Sequence, residues 1–221
     1  MGITMELKIR LENKDEFRTV EELTREAFWN IHVPGCDEHY YLHNLRNSDA
    51  FIKELDFVAL YENKIVGHIA YSKANIVDNA DNLHNANNKH NVIIFGPISV
   101  LPEYQSKGVG SALIKHSLEV AKSLGHKAVL IYGDPRYYSK FGFRCAERYD
   151  IKTPDGKYCV PMMALELEKD ALSGVNGRLI EGFEYAQDER EFEKFDNEFP
   201  TKEKGKTASQ EEFKILSSLK Y

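Results

Sequence analysis

Two uninterrupted apolar runs, Val92-Ile93-Ile94-Phe95 and Ala128-Val129-Leu130-Ile131-Tyr132, flank a stretch of helical periodicity, and this arrangement limits the fold more than any other feature of the chain. A strand made wholly of apolar residues is expected to be covered on both faces. Between the runs, Val109, Leu113, Ile114, Leu118, Ala121 and Leu124 recur at helical spacing, and Gly125 follows where a helix-ending glycine belongs. Strand, helix and strand in this order form a βαβ unit with two parallel strands.

The turn that opens the helix carries chemistry. Gly108 and Gly110 let the backbone approach a ligand and adopt positive φ without a β-carbon penalty. The first amides of the helix have no intrahelical partner, and with the positive end of the helix dipole they favour an anion, most naturally a phosphate. Lys107 adds a formal charge. Two familiar phosphate loops do not match: Ser111-Ala112 follows Gly110 where a Walker loop needs Lys-Ser/Thr, and Leu113 stands where the dinucleotide pattern needs a third Gly. Upstream, Gly96-Pro97 interrupts the strand before Ile98-Ser99-Val100, which suggests a bulge or a break in pairing.

Gln105-Ser106-Lys107-Gly108-Val109-Gly110 resembles the acetyl-CoA loop of the GNAT acyltransferases, Gln/Arg-x-x-Gly-x-Gly/Ala, at every defined position. Gly96 to Gln105 and Gly133-Asp134-Pro135-Arg136-Tyr137-Tyr138-Ser139-Lys140-Phe141-Gly142-Phe143 are similar to bacterial members of that family. The likeness spans about Leu7 to Leu167 and is sharp from Val92 to Phe143. It implies an α/β (α+β) fold: a mixed, mostly antiparallel central sheet with splayed parallel central strands flanked by helices, plus a C-terminal extension. Residues 1–167 would form the acyl-CoA-binding domain, and residues 168–221 an extension packed on the core or at the contact of a homodimer.

By the same resemblance, acetyl-CoA is the cosubstrate. Amides of Val100 and of Lys107, Gly108, Val109, Gly110 and Ser111, with Gln105 and Ser106 in the same turn, would cradle the pyrophosphate. The pantetheine arm would lie where the strands part, paired with free backbone like an added strand. The implied reaction is direct transfer of the acetyl group to a primary amine of a small molecule or peptide. An alkylamine with a pKa near ~10 must lose a proton before it attacks. A backbone N–H of the Ile98–Ser99–Val100 segment would stabilise the oxyanion. Tyr138, four residues before the Gly of the Gly-Phe pair, would protonate the departing thiolate. The general base stays open. Asp134 follows a buried strand, yet Asp-Pro is also a good helix start; Glu26, His68 and Glu103 are weaker candidates. No metal is expected. A silent acyl-CoA sensor or scaffold with the same fold is the alternative.

Elsewhere the pattern is plainer. Leu7 to Leu11 alternates as a strand, Asn13 and Glu16 make a capping box for a helix ending near Trp29, and a weaker helix covers Glu38 to Asn47. Phe57–Tyr61 and Ile65–Tyr71 form a hairpin around Glu62-Asn63-Lys64. The Asn- and His-rich stretch Asn75–Asn91 reads as a loop, and His84 with His90 lacks the partners a metal site needs. A turn at Pro154-Asp155-Gly156 and a strand over Val160–Leu167 are expected to close the sheet as a hairpin. Beyond them come one more strand near Arg178–Tyr185, a charged segment Asp188–Phe195, a solvated link Thr201–Thr207, and a short helix capped by Ser209.

With 221 residues the chain exceeds the usual ~150 of one domain. Lys and Arg number 29 against 35 Asp and Glu, so the net charge of −6 disfavours a nucleic-acid backbone as partner. Three cysteines without ligand spacing suit a reducing compartment, and no apolar run is long enough to span a membrane. The expectation is a soluble cytoplasmic protein without a nucleic-acid or membrane partner.

Overall fold

The computed structural model describes residues 5–78, 89–186 and 188–221. The N-terminal alternation yields β1 (Lys8–Leu11), which pairs antiparallel with β2 (Phe57–Tyr61). Between them lie α1 (Phe17–Phe28) and α2 (Glu38–Arg46). The Glu16 carboxylate accepts the Asn13 backbone N–H at 2.9 Å, one arm of the capping box that starts the α1 segment. β2 turns through Glu62 and Asn63, both with positive φ (49° and 64°), into β3 (Lys64–Val77). Such a two-residue turn matches the twist of the strands it joins.

β3 and β4 (Lys89–Val100) run antiparallel from Gly67 opposite Val100 to Val77 opposite Lys89. The expected loop over Asn75–Asn91 is thereby corrected at both ends: Asn75–Val77 and Lys89–Asn91 are strand. Ile76 and Val77 are buried there, and tertiary burial overrides the turn preference of the asparagines. His90 is exposed opposite Ile76, and His84 lies outside the described residues.

α3 (Val109–Ser123) then crosses to β5 (Ala128–Tyr132), which is parallel to β4 only through Ile93–Val129 and Ile94–Leu130. Beyond Ile94 the two strands part, close to where β4 also shifts register against β3 next to Gly96-Pro97. Side-chain alternation explains the solid apolar runs. Ile93, Phe95, Val129 and Ile131 pack with Leu113 and Ile114 of α3 on one face, while Val92, Ile94, Ala128 and Leu130 pack with Met162 and Leu179 on the other.

After β5 come the short α4 (Pro135–Tyr138), β6 (Arg144–Cys145), β7 (Ile151–Lys152), β8 (Met162–Glu166) and β9 (Gly177–Glu181). The closing hairpin does not form. β8 pairs with β5 and β6, whereas β7 runs parallel to β9, which pairs in turn with Ala74–Val77 of β3. β2 and β9 thus share one edge of the long strand β3. The sheet is mixed and mostly antiparallel, in the order β1-β2-β3-β4-β5-β8-β6.

α5 (Glu189–Asp196) and α6 (Ala208–Ser218) complete the chain. The link between them is anchored rather than free. Trp29 Nε1 donates to the Glu203 carbonyl at 2.9 Å, Gly205 N–H donates to Asn30 Oδ1 at 3.0 Å, and Lys202 pairs with Glu26 at 2.7 Å. On α6, Phe213 stacks on His32 at 4.3 Å, and Ile215 stays exposed. No helix among the described residues is long and apolar enough to cross a membrane.

Candidate active site

The glycine turn is built around two left-handed residues, Ser106 (φ 59°) and Gly108 (φ 91°). Gln105 fastens its start, donating Nε2–H to the Val100 carbonyl at 3.0 Å. The first α-helical bond runs from Ala112 N–H to the Gly108 carbonyl at 2.9 Å, so the amides of Val109, Gly110 and Ser111 precede any intrahelical acceptor. Val109 itself is an anchor: its side chain is buried, and a β-carbon on Gly67 would stand 2.8 Å from its Cγ1. Lys107 is exposed, its ammonium 5.5 Å from the Tyr104 ring centre.

Gly110 is where three elements meet. A β-carbon there would lie 3.3 Å from Tyr137 Oη, 3.7 Å from Val100 Cγ2 and 3.8 Å from Ile98 Cδ1. The start of α3, the end of β4 and α4 therefore converge on one residue. Leu101 N–H donates to the Val66 carbonyl at 3.0 Å. Strand alternation then turns the main chain of Ser99 toward β3 as well, and that of Ile98 and Val100 toward the side β5 has left. The Ser99 side chain is fully buried and donates to Thr24 Oγ1 at 3.1 Å.

A cavity of about 430 Å³ opens beside the parting strands. Phe95, Gly96, Pro97 and Ile98 line it from β4, Tyr132 from β5, and Gly133, Asp134 and Tyr138 from the segment after β5. The lining also includes Phe28, His32, Glu38, Tyr41 and, from β9, Glu181. The Tyr138 ring centre is 5.9 Å from that of Phe95 and 6.0 Å from that of Phe143. Burial raises its phenol above the ordinary range, so Tyr138 stands as a protonated donor. Asp134 caps α4, accepting Arg136 N–H at 2.8 Å and pairing with the guanidinium at 2.7 Å, which lowers its pKa. None of Glu26, His68 and Glu103 lines the cavity. Glu26 pairs with Lys202, Glu103 pairs with Lys64 at 3.0 Å, and His68 is fully buried.

Two polar networks lie apart from the cavity. In one, His68 Nε2–H donates to Asp56 at 2.7 Å while Arg46 grips both oxygens of Glu12 at 2.7 and 2.6 Å. Among the described residues, Glu12, Asp56 and His68 are near enough to share a cation, but the guanidinium already holds Glu12. In the other, His39 Nε2–H donates to Asp196 at 3.0 Å, and Cys36 Sγ lies 3.7 Å from His39 Nδ1. Burial pushes that thiol up, so this Cys-His-Asp line lacks the thiolate a nucleophile requires. Sequence reasoning missed Tyr41 and Glu181 as wall residues; the one available signal was Glu181 as a lone acid directly after the apolar Leu179-Ile180.

A glycine turn whose leading amides lack intrahelical acceptors opens the βαβ crossover beside a tyrosine-lined cleft between parting strands, the arrangement of an acetyltransferase fold. The GNAT acetyltransferase family model matches residues 17–143, and the chain belongs to that family. It is 32% identical to the uncharacterized N-acetyltransferase YjhQ of Escherichia coli K12 over 54% of this chain and 66% of YjhQ. It is 28% identical to the uncharacterized N-acetyltransferase YhbS of the same strain over 83% of this chain and 90% of YhbS. The crystal structure of Escherichia coli YhbS in complex with CoA superposes with a TM-score of 0.65 at 25% identity, covering 81% of this chain and 91% of that one. A Brucella melitensis GNAT acetyltransferase structure shares the fold, with a TM-score of 0.59 at 24% identity over 80% of this chain and 96% of that one.

Proposed function

We propose that this protein transfers the acetyl group of acetyl-CoA directly to a primary amine of a small molecule or peptide. The observation that carries the reading is the convergence on Gly110, where the start of α3 meets the Ile98 and Val100 side chains of β4 and the helix that bears Tyr138. YhbS was crystallised with CoA and the Brucella protein with acetyl-CoA, which supports the same cosubstrate here.

In this reading the turn amides, with Gln105, Ser106 and Lys107, hold the diphosphate, and the Ile98 and Val100 main chain pairs with the pantetheine arm. An N–H of that strand receives the oxyanion. When the C–S bond breaks, the Tyr138 O–H protonates the sulfur. Residues 1–167 supply the cosubstrate groove, and residues 168–221 close the acceptor side.

The test is calorimetric titration with CoA, followed by thiol release from acetyl-CoA across a panel of amines. Heat on titration with amine-dependent release is the expected result. Heat without release on any amine favours a silent acyl-CoA-binding protein, and no heat at all overturns the cosubstrate.

A further inference from the structure

We propose that Glu181, supplied by the C-terminal segment, is the base that removes the proton from a cationic amine bound in the aromatic-walled cavity. This rests on the acetyltransferase reading above and names its acceptor class.

The β9–β3 ladder sets Glu181 opposite Ala74, and from there it lines the same cavity as Tyr138. Chemistry follows from the other groups facing that space. Glu38 from α2 is paired with His32, from the connection between α1 and α2, at 2.8 Å. Asp134, after β5, is held by Arg136. Tyr41 from α2, Tyr132 from β5 and Tyr138 from α4 are all held protonated, chiefly by burial, with the Glu181 charge adding to the effect at Tyr41 and Tyr132. No Lys or Arg lines the cavity among the described residues. Glu181 is thus the wall carboxylate not engaged by a cation among the described residues. Burial raises its pKa above the ordinary carboxylate range, which makes it a stronger proton acceptor than a solvated carboxylate. Aromatic faces of Phe28 and the tyrosines attract an ammonium ion, and the unpaired negative charge completes the match.

The ammonium gives one proton to the Glu181 carboxylate, and its freed electron pair forms the C–N bond to the thioester carbon. The carbonyl π pair moves to oxygen. On collapse the C–S bond breaks, sulfur leaves with the pair and takes the Tyr138 proton, and the second nitrogen proton restores the phenol. Glu181 later releases its proton to solvent.

The experiment compares wild type with Glu181→Gln and Glu181→Asp, using acetyl-CoA with spermidine and tyramine as strongly basic probes and aniline as a weakly basic one. With the basic probes, Glu181→Gln is expected to lower kcat at pH 7 by at least about tenfold. The acid limb of its kcat/KM profile should move toward the amine's own pKa, with activity recovering at high pH and CoA affinity held within about twofold. Glu181→Asp should retain part of the rate. Wild type alone offers a second test: its acid limb should appear with spermidine and vanish with aniline, which needs no base to become neutral. An unchanged profile in Glu181→Gln, or the same limb with both probes in wild type, overturns the assignment. Wild type that binds CoA yet releases thiol with no amine defeats the parent reading instead.

Discussion

Tyr138 packs so tightly on Gly133 that a β-carbon at residue 133 would stand 2.7 Å from the ring's Cδ2 and closer still to Cε2. The glycine, together with Phe95 and Phe143, fixes where the phenol points. Gly133→Ala should therefore push the ring out of the cleft. The expected outcome is a fall in kcat of at least about tenfold, because a misplaced reacting group loses its proximity advantage. The CoA dissociation constant, measured by calorimetry, should stay within about twofold, since the glycine turn is untouched.

Tyr138→Phe removes the proton donor while leaving the ring in its packing. Turnover at saturating acceptor should drop by at least about tenfold, at the lower edge of what general acid catalysis contributes. CoA affinity should be retained. Steady-state kinetics with a matched calorimetric titration separates the two effects, and unchanged turnover would remove Tyr138 from the mechanism.

At Gly108 an added β-carbon would meet nothing within 4 Å, so any effect of Gly108→Ala must come from the backbone. Its φ of 91° costs an L-residue about 1–2 kcal/mol. Relaxation of that strain would swing the amides of Val109, Gly110 and Ser111 away from a shared ligand. CoA affinity should weaken by about tenfold, matching ~1.4 kcal/mol, while the unfolding midpoint moves only slightly. Calorimetry and thermal denaturation of the same sample check both parts.

What could be read from sequence was local. The βαβ unit, the glycine turn and Tyr138 lie within about fifty consecutive residues, and their patterns of periodicity, glycine and spacing are short-range. Pairings across the chain left no such mark. Nothing in Ile151-Lys152 announces that it will lie beside Gly177 rather than fold back on Val160–Leu167. Glu181 reaches the cavity only because β9 takes the free edge of β3. Arg25, on the helix read correctly from its periodicity, meets Asp196 at 2.7 Å from the far end of the chain. The Asn75–Asn91 composition pointed to turns, yet burial of Ile76 and Val77 drew its ends into strands.

Burial of His39 gives a pH dependence of known sign. Removal from water lowers its pKa to about 4, against 6.5 in the open chain. Between those values the unfolded chain binds the extra proton, so this contribution is full above pH 6.5 and is lost as pH falls through 4. At the limit it amounts to about 3 kcal/mol. Glu12, raised by burial and by Asp56, presses the other way over part of the range, so the readout is a difference. Urea midpoints of wild type should fall more steeply from pH 7 to pH 4.5 than those of His39→Asn.

The Arg46 network makes the sharpest stability test. The Glu12 side chain is fully buried, and the Arg46 side chain is 3% exposed. Asp56 is held low by His68 while Glu12 is pushed up, so the two carboxylates, one guanidinium and one shared proton leave the cluster neutral. Arg46→Met removes the cation and leaves the carboxylate pair, with its one proton on Glu12, carrying an uncompensated negative charge at Asp56 in a dry interior. Breaking such a pair costs about 3–5 kcal/mol, because one charge remains buried without compensation. Asp56→Asn added to Arg46→Met deletes that charge too, leaving Glu12 protonated, and should restore a large part of the loss. Chemical denaturation of the two single variants and the double variant gives the coupling directly. Equal loss in Arg46→Met and in the double variant would mean that Arg46 acts through its packing on Phe17, whose ring centre lies 4.2 Å from the guanidinium carbon, rather than through charge.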